Sequence, residues 1–107
     1  MDLRGRDDFN VTSNAVRQAV GTRCHINTVT WHNDDSAARF MQIFNALSAN
    51  ITVGTTTPDM VLQMAADSSE TFDFGDQEYS TGFSYAITTT ATGNSTGTSS
   101  WISISYR

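Results

Sequence analysis

The residues with the most potential for metal chemistry are two histidines and the acids that follow the second one. His25 and His32, seven positions apart, are the only histidines, and Asp34 and Asp35 come shortly after His32. Imidazole and carboxylate groups bind zinc, but zinc sites space their ligands closely and regularly, unlike this group. A regular strand would also place side chains seven positions apart on opposite faces of a sheet. We therefore expect a turn with exposed polar residues here, and no metal site.

A second acidic group could in principle bind calcium, because hard cations prefer carboxylate oxygens. It consists of Asp73, Asp76 and Glu78. The spacing does not follow the calcium-loop pattern of alternating acids followed by glycine. We interpret Gly75 to Gly82 as a solvated acidic loop, and we expect no metal and no cofactor.

The single cysteine, Cys24, cannot form an internal disulfide, so the apolar core must supply the stability. A reactive thiol needs electropositive neighbours, and the adjacent His25 would point to the opposite face of a strand. We therefore predict a buried structural cysteine. The 28 serines and threonines include no nucleophile elbow. No catalytic residue is assigned, and the chain is not expected to be an enzyme.

Alternating apolar residues predict the strands that would position these groups. In Met60 to Met64 the large apolar side chains fall on every second position, which is the period of a half-buried strand. Pro58 marks the entry to that strand, since proline cannot donate to a central ladder. Asn10 to Val20 fits a helical stripe about as well as a bulged strand, and extended structure is favoured. The other predicted strands are Arg23–Trp31, Arg39–Phe44, Thr71–Phe74, Phe83–Thr88 and Trp101–Tyr106.

Seven or eight short strands separated by turn residues are typical of an antiparallel sandwich. We predict an all-β fold, a single antiparallel β-sandwich or jelly-roll-like domain over residues 10–107, with an N-terminal arm over residues 1–9. At most one short helix is expected. The predicted core consists of Met41, Ile43, Leu62, Met64, Phe72, Phe74, Phe83, Tyr85, Ile87, Ile102 and Ile104.

The N-terminal arm is charged and has no hydrophobic period. One hypothesis is a docking arm that becomes ordered on a partner, and the alternative is an edge strand of its own domain. Trp101 begins the last strand out of phase with Ile102, and the two interpretations are an exposed interface anchor and a cap on the sandwich edge. The candidate interface residues are Leu3, Arg4, Arg6, Phe9 and Trp101.

The charge balance limits the partners that the chain can have. A net charge of −5 argues against nucleic acid, which requires a basic surface, and against an anionic membrane surface. No apolar run is long enough for a membrane span. The N-terminal residues lack the apolar centre of a secretory signal, so we expect a chain that is made and kept in a cytosol or is carried out by an assembly.

Three segments together form a pattern that recurs in other proteins: Met41–Phe44 (MQIF), Val53–Pro58 (VGTTTP) and Ser80–Gly93 (STGFSYAITTTATG). The pattern resembles small virion-associated β-sandwich proteins of tailed bacteriophages, and the likeness covers roughly residues 22–107. The resemblance implies a virion role and carries over no catalytic residue.

From this resemblance we expect a capsid cement (decoration) protein on the capsid surface of the virion. Its partner would be the major capsid protein, and it would be a homo-oligomer there, a trimer or a dimer. The alternative is a tail-fibre or receptor-binding module. In that case the loops Gly75–Gly82 and Thr89–Ser99 would contact a host glycan.

Overall fold

Two four-stranded antiparallel sheets face each other in the computed structural model, which describes residues 3–8, 16–95 and 100–107. The elements are β1 (Arg4–Asp8), β2 (Arg17–Val20), β3 (Cys24–Asn33), β4 (Arg39–Phe44), the 3-10 turn Ser48–Asn50, β5 (Met60–Met64), β6 (Ser68–Tyr79), β7 (Phe83–Thr88) and β8 (Ser100–Tyr106). Sheet A has the strand order β1-β8-β3-β6 and sheet B the order β2-β7-β4-β5. The predicted all-β sandwich is confirmed. Within these ranges of the chain there is no apolar helix of membrane-spanning length.

The core lies between the two sheets and follows the predicted alternation in four strands. Eight of the eleven predicted core residues are buried: Met41, Ile43, Met64, Phe83, Tyr85, Ile87, Ile102 and Ile104. Leu62, Phe72 and Phe74 are partly buried and pack against this cluster, because they lie on edge strands. The sequence interpretation missed Trp31, which is fully buried, together with Ile26, Val29 and Tyr79.

A bulge in β3 changes which of its side chains point into the core, so the faces predicted from regular alternation were wrong. Its pairing with both neighbouring strands shifts register between Ile26 and Thr28. Cys24 and Ile26 are buried before the shift, and Val29 and Trp31 are buried after it. The extra residue reverses the alternation, as bulges do. His25 and His32 therefore share the outer face of sheet A, whereas regular alternation had placed them on opposite faces.

Strand β6 also differs from the prediction, which placed an acidic loop at Gly75–Gly82. The strand continues from Ser68 to Tyr79, and the turn follows it. A bulge near Gly75 allows this, since Gly75 and Asp76 have φ values of 58° and 66°. The carboxylate of Asp76 accepts hydrogen bonds from the Arg107 guanidinium, with an Nη2–Oδ2 distance of 2.5 Å.

The turn predicted at His32–Ser36 was expected to expose its polar residues, and this is wrong for two of them, one of which, Asn33, is the last residue of β3. Asn33 is fully buried and Asp35 is 4% exposed. The Asn33 amide donates to the carbonyl oxygens of Ala37 at 3.0 Å and Ala65 at 3.1 Å. Asp35 accepts a 2.7 Å hydrogen bond from Nε of Arg39. These bonds hold together the corner where β3, β4 and β5 meet.

The outer face of sheet B is covered by the connections around it. Phe44, Gln42 and Ser84 are buried, although none of them belongs to the core cluster between the sheets. The Gln42 amide donates to the carbonyl oxygen of Gly93 at 2.8 Å, and the Ser84 hydroxyl donates to that of Ala46 at 2.8 Å. The loop after β7 and the connection after β4 therefore lie over this sheet.

The N-terminal residues form part of sheet A. Arg4–Asp8 pair with β8 in antiparallel register, from Arg4 opposite Tyr106 to Asp8 opposite Ile102. The edge strand, which was the alternative to a docking arm, is the arrangement in the structure. Extended structure was also favoured for residues 10–20, and Arg17–Val20 form β2. Residues 9–15 lie outside the described part of the chain.

Candidate functional site

The predicted interface residues do not form one cluster. Leu3 is 54% exposed, Trp101 is 49% exposed, and Arg4 is also exposed. Arg4 pairs with Tyr106, whereas Trp101 lies at the other end of β8, roughly 17 Å away at about 3.4 Å per residue. Arg6 is opposite the buried Ile104 and is only partly exposed. Phe9 lies outside the described residues.

Trp101 lies on the outer face of sheet A beside an imidazole. His32 is the cross-strand partner of Trp101 on one side and of Ser69 on the other. The His32 and Trp101 rings have centroids 5.5 Å apart and are tilted by 57°. The imidazole Nδ1 is 3.2 Å from the Ser69 hydroxyl, and Nε2 is 3.8 Å from an Asp34 carboxylate oxygen. These contacts fix the position of the imidazole beside the indole.

A shallow groove of about 260 Å³ runs beside this ring pair, and we call it the Trp101 groove. Hydroxyl groups surround it: Thr30 and Thr71 share a hydrogen bond of 2.9 Å, and Ser103 donates to Oδ1 of Asp7 at 2.6 Å. The groove therefore combines one aromatic surface with fixed polar groups, an arrangement suited to small-molecule binding. Its lining residues are Thr30, His32, Ser69, Trp101, Ile102 and Ser103.

A second candidate surface lies where the edge strands of the two sheets meet, and we call it the β5–β6 slot. It has a volume of about 300 Å³ and is lined by Met60, Leu62, Phe72, Asp73, Phe74 and Gln77. Met60 is 40% exposed and its neighbour Val61 is 37% exposed. The alternation predicted correctly that Met60, Leu62 and Met64 share a face. It could not predict their exposure, because that depends on β5 being an edge strand.

Acidic groups lie along and beside the slot. Asp73 lines it, and Asp59 and Glu78 line an adjoining depression of about 200 Å³ that shares Met60 and Gln77 with the slot. Asp59 accepts a hydrogen bond from the backbone of Asn45 at 2.7 Å. Glu78 forms an ion pair with Arg23. The surface is therefore apolar in the middle and predominantly acidic at its margin.

The groups considered for metal chemistry are divided between different surfaces, since His32 lines the Trp101 groove and Asp73 lines the β5–β6 slot. Within residues 3–8, 16–95 and 100–107, no three His, Cys, Asp or Glu side chains converge as metal ligands would. Cys24 is buried as predicted, and burial raises the pKa of its thiol. Burial, with smaller contributions from Asp59 and Cys24, raises the pKa of Tyr79 to about 12.

Comparison with known proteins gives a distant structural similarity. No protein-family model matches the chain, and no curated protein matches its sequence. Among solved structures, it is similar to the coat protein of Tobacco streak virus, with a TM-score of 0.46 and 10% sequence identity. The match covers 97% of this chain and 83% of that chain. A similarity at this level carries no argument about function.

Proposed function

We propose that this chain is a structural virion protein, and specifically a capsid cement protein that attaches to the major capsid protein through the β5–β6 slot. The virion role is suggested by the resemblance of residues 22–107 to small proteins of tailed bacteriophages. The observation that carries the attachment site is Met60, an apolar residue that lines the slot and is 40% exposed at the start of edge strand β5.

An edge strand supports attachment because one row of its backbone hydrogen-bonding groups has no neighbouring strand in the sheet. A partner segment that pairs with β5 would gain main-chain hydrogen bonds, and its side chains would supply the specificity. The slot beside β5 is bordered by Leu62, Phe72 and Phe74, which are partly buried. One large apolar side chain of the partner would cover this surface and remove it from water.

The margin of the slot specifies the charge of that partner segment. Asp73, Asp59 and Glu78 lie on or next to it, and the whole chain has a net charge of −5. Electrostatic complementarity sets partner choice and association rate more than affinity. The proposed occupant is therefore an extended segment of the major capsid protein with an apolar side chain flanked by basic residues.

The experiment measures cosedimentation with capsids that lack this protein. Met60→Asp places a charge in the slot, and we expect it to weaken capsid binding at least tenfold. Gln63→Asp is the matched control, because Gln63 is an exposed residue of the same strand with the opposite orientation. Thermal melts of both variants check that the fold is retained. Equal binding by the two variants would rule out the slot as the attachment site.

The alternative function, a tail-fibre or receptor-binding module, assigned host-glycan contacts to two loops. Most of Gly75–Gly82 belongs to β6, and the described part of Thr89–Ser99 is held on sheet B, where the Gln42 amide donates to the Gly93 carbonyl oxygen at 2.8 Å. These positions favour the cement function. On the capsid surface the protein would act as a trimer or a dimer, and light scattering coupled to size exclusion measures that state.

A further inference from the structure

We infer that the Trp101 groove is a binding site for a neutral carbohydrate, with a pyranose ring stacked on the indole of Trp101. This inference goes beyond the cement function and does not depend on it. The groove lies on the outer face of sheet A, whereas the proposed attachment site lies at the β5 and β6 edges. One molecule could therefore bind a capsid and a sugar at the same time.

The two outer faces of the sandwich differ in a way that supports a binding role for sheet A. Connections cover sheet B, and its outward residues Phe44 and Ser84 are buried. On sheet A, the outward residues Thr30, Trp101 and Ser103 are exposed. Over the described residues, the outer face of sheet A therefore presents a largely polar surface that carries the ring of Trp101.

The chemistry of this surface matches a sugar ring. One face of a pyranose consists largely of C–H groups, which pack on an aromatic ring, and its edge carries hydroxyl groups that donate and accept hydrogen bonds. The indole of Trp101 offers the aromatic surface, while His32, Ser69 and Ser103 offer polar atoms around it. The volume of about 260 Å³ lies just below the range of drug-sized ligands and suits one ring.

A protein partner fits the same surface less well. The centres of protein interfaces are depleted in serine and charged residues, and an aromatic anchor there is enclosed by contacts that exclude water. Here Thr30, Ser69 and Ser103 surround the ring, and each is exposed or partly exposed. A ligand with many hydroxyl groups replaces the hydrogen bonds of these side chains to water, which an apolar protein side chain does not.

The charges at the rim select against anionic sugars. Asp34 lies 3.8 Å from the His32 imidazole, and Asp7 accepts the hydrogen bond from Ser103 at the other end of the groove. Both are carboxylates, which repel a sialic acid or a uronic acid. The ligand class is therefore a neutral hexopyranose.

Nuclear magnetic resonance of the indole N–H groups tests the inference in the unmodified protein. The chain has two tryptophans, and Trp31 is buried with its indole bonded to Ser100 at 3.0 Å, so its signal is an internal control. The probes are the methyl glycosides of glucose, galactose and mannose at millimolar concentrations, with sialyllactose as the anionic comparison. We expect at least one neutral glycoside to shift the Trp101 signal and leave the Trp31 signal in place.

Two variants complete the test. Trp101→Ala should weaken binding of the active glycoside at least tenfold, and Val61→Ala, which alters an exposed apolar residue of sheet B, should leave it unchanged. The inference is overturned if no neutral glycoside shifts the Trp101 signal, or if sialyllactose binds more tightly. It is also overturned if bound capsids shield Trp101 from solvent and no sugar does so, since the groove would then be a protein contact.

Discussion

The indole Nε1 of Trp31 donates a hydrogen bond of 3.0 Å to the Ser100 hydroxyl inside the sandwich, and both residues are fully buried. The bond joins β3, an internal strand of sheet A, to the first residue of its neighbour β8. A buried indole N–H without a partner is costly, so Ser100 allows the largest side chain of the core to be fully buried.

Replacement of Ser100 by alanine should therefore destabilise the protein. The indole N–H would lose its partner in a buried position, and we expect a loss of about 1–3 kcal/mol in unfolding free energy. Urea melts followed by tryptophan fluorescence measure this. Ser105→Ala, on the outer face of the same strand, is the control and should change stability by less than about 0.5 kcal/mol. Equal effects would show that the buried bond contributes nothing specific.

The ion pair between Asp35 and Arg39 should be a strong determinant of stability. Their side chains are only 5% and 14% exposed, so Asp35→Ala would leave a nearly buried guanidinium without its carboxylate. Breaking such a pair typically costs about 3–5 kcal/mol. Asp34→Ala, one residue earlier at an exposed position, should cost less than about 0.5 kcal/mol. Thermal and urea melts of the two variants provide the comparison. Similar stabilities would contradict the claim that the nearly buried ion pair stabilises the fold.

The cross-strand partners Met41 and Leu62 should differ in their contribution to the core. Met41 is fully buried in the central strand β4, so Met41→Ala should cost about 2–5 kcal/mol. Leu62 is only partly buried on edge strand β5, so Leu62→Ala should cost about 1–2 kcal/mol. Urea melts of the two variants show which substitution lowers the unfolding free energy more. A larger loss for Leu62 would mean that β5 is covered by something other than solvent.

Stability should fall in acid through Asp76. The hydrogen bonds from the Arg107 guanidinium hold the pKa of this carboxyl below its ordinary value of 3.8. A carboxyl with a lowered folded-state pKa stabilises the protein above its unfolded-state pKa, and that stabilisation is lost as the pH falls through the folded-state value. Wild type should therefore be more stable than Asp76→Asn at neutral pH, and the difference should shrink below about pH 4. Urea melts across this range measure it, and a difference independent of pH would exclude the titration of Asp76.

The strands and most of the core were predictable because side chains alternate along a strand. Met41, Phe83 and Ile104 follow that period without interruption, and all three are buried. Trp31 was missed because the bulge after Ile26 reverses the alternation, and no glycine or proline marks that position in the sequence. In β6 a signal was present, since a single glycine inside a strand pattern, Gly75, often indicates a bulge.

The candidate surfaces were predictable only in part. Because Trp101 and Ile102 point to opposite faces of β8, an exposed anchor was one of two interpretations of Trp101, and the residue is half exposed. The His32 neighbour was not predictable, because it depends on the register between β3 and β8. The β5–β6 slot depends on the order of strands in two sheets, and local patterns do not determine that order.

The copy number of this chain in purified virions tests the central claim most directly. Quantitative mass spectrometry of the virions gives that number relative to the major capsid protein. The cement function predicts hundreds of copies, in a fixed ratio to the major capsid protein, on the outside of the shell. About a dozen copies would indicate a tail-fibre component, and absence from the virion would contradict the virion role altogether.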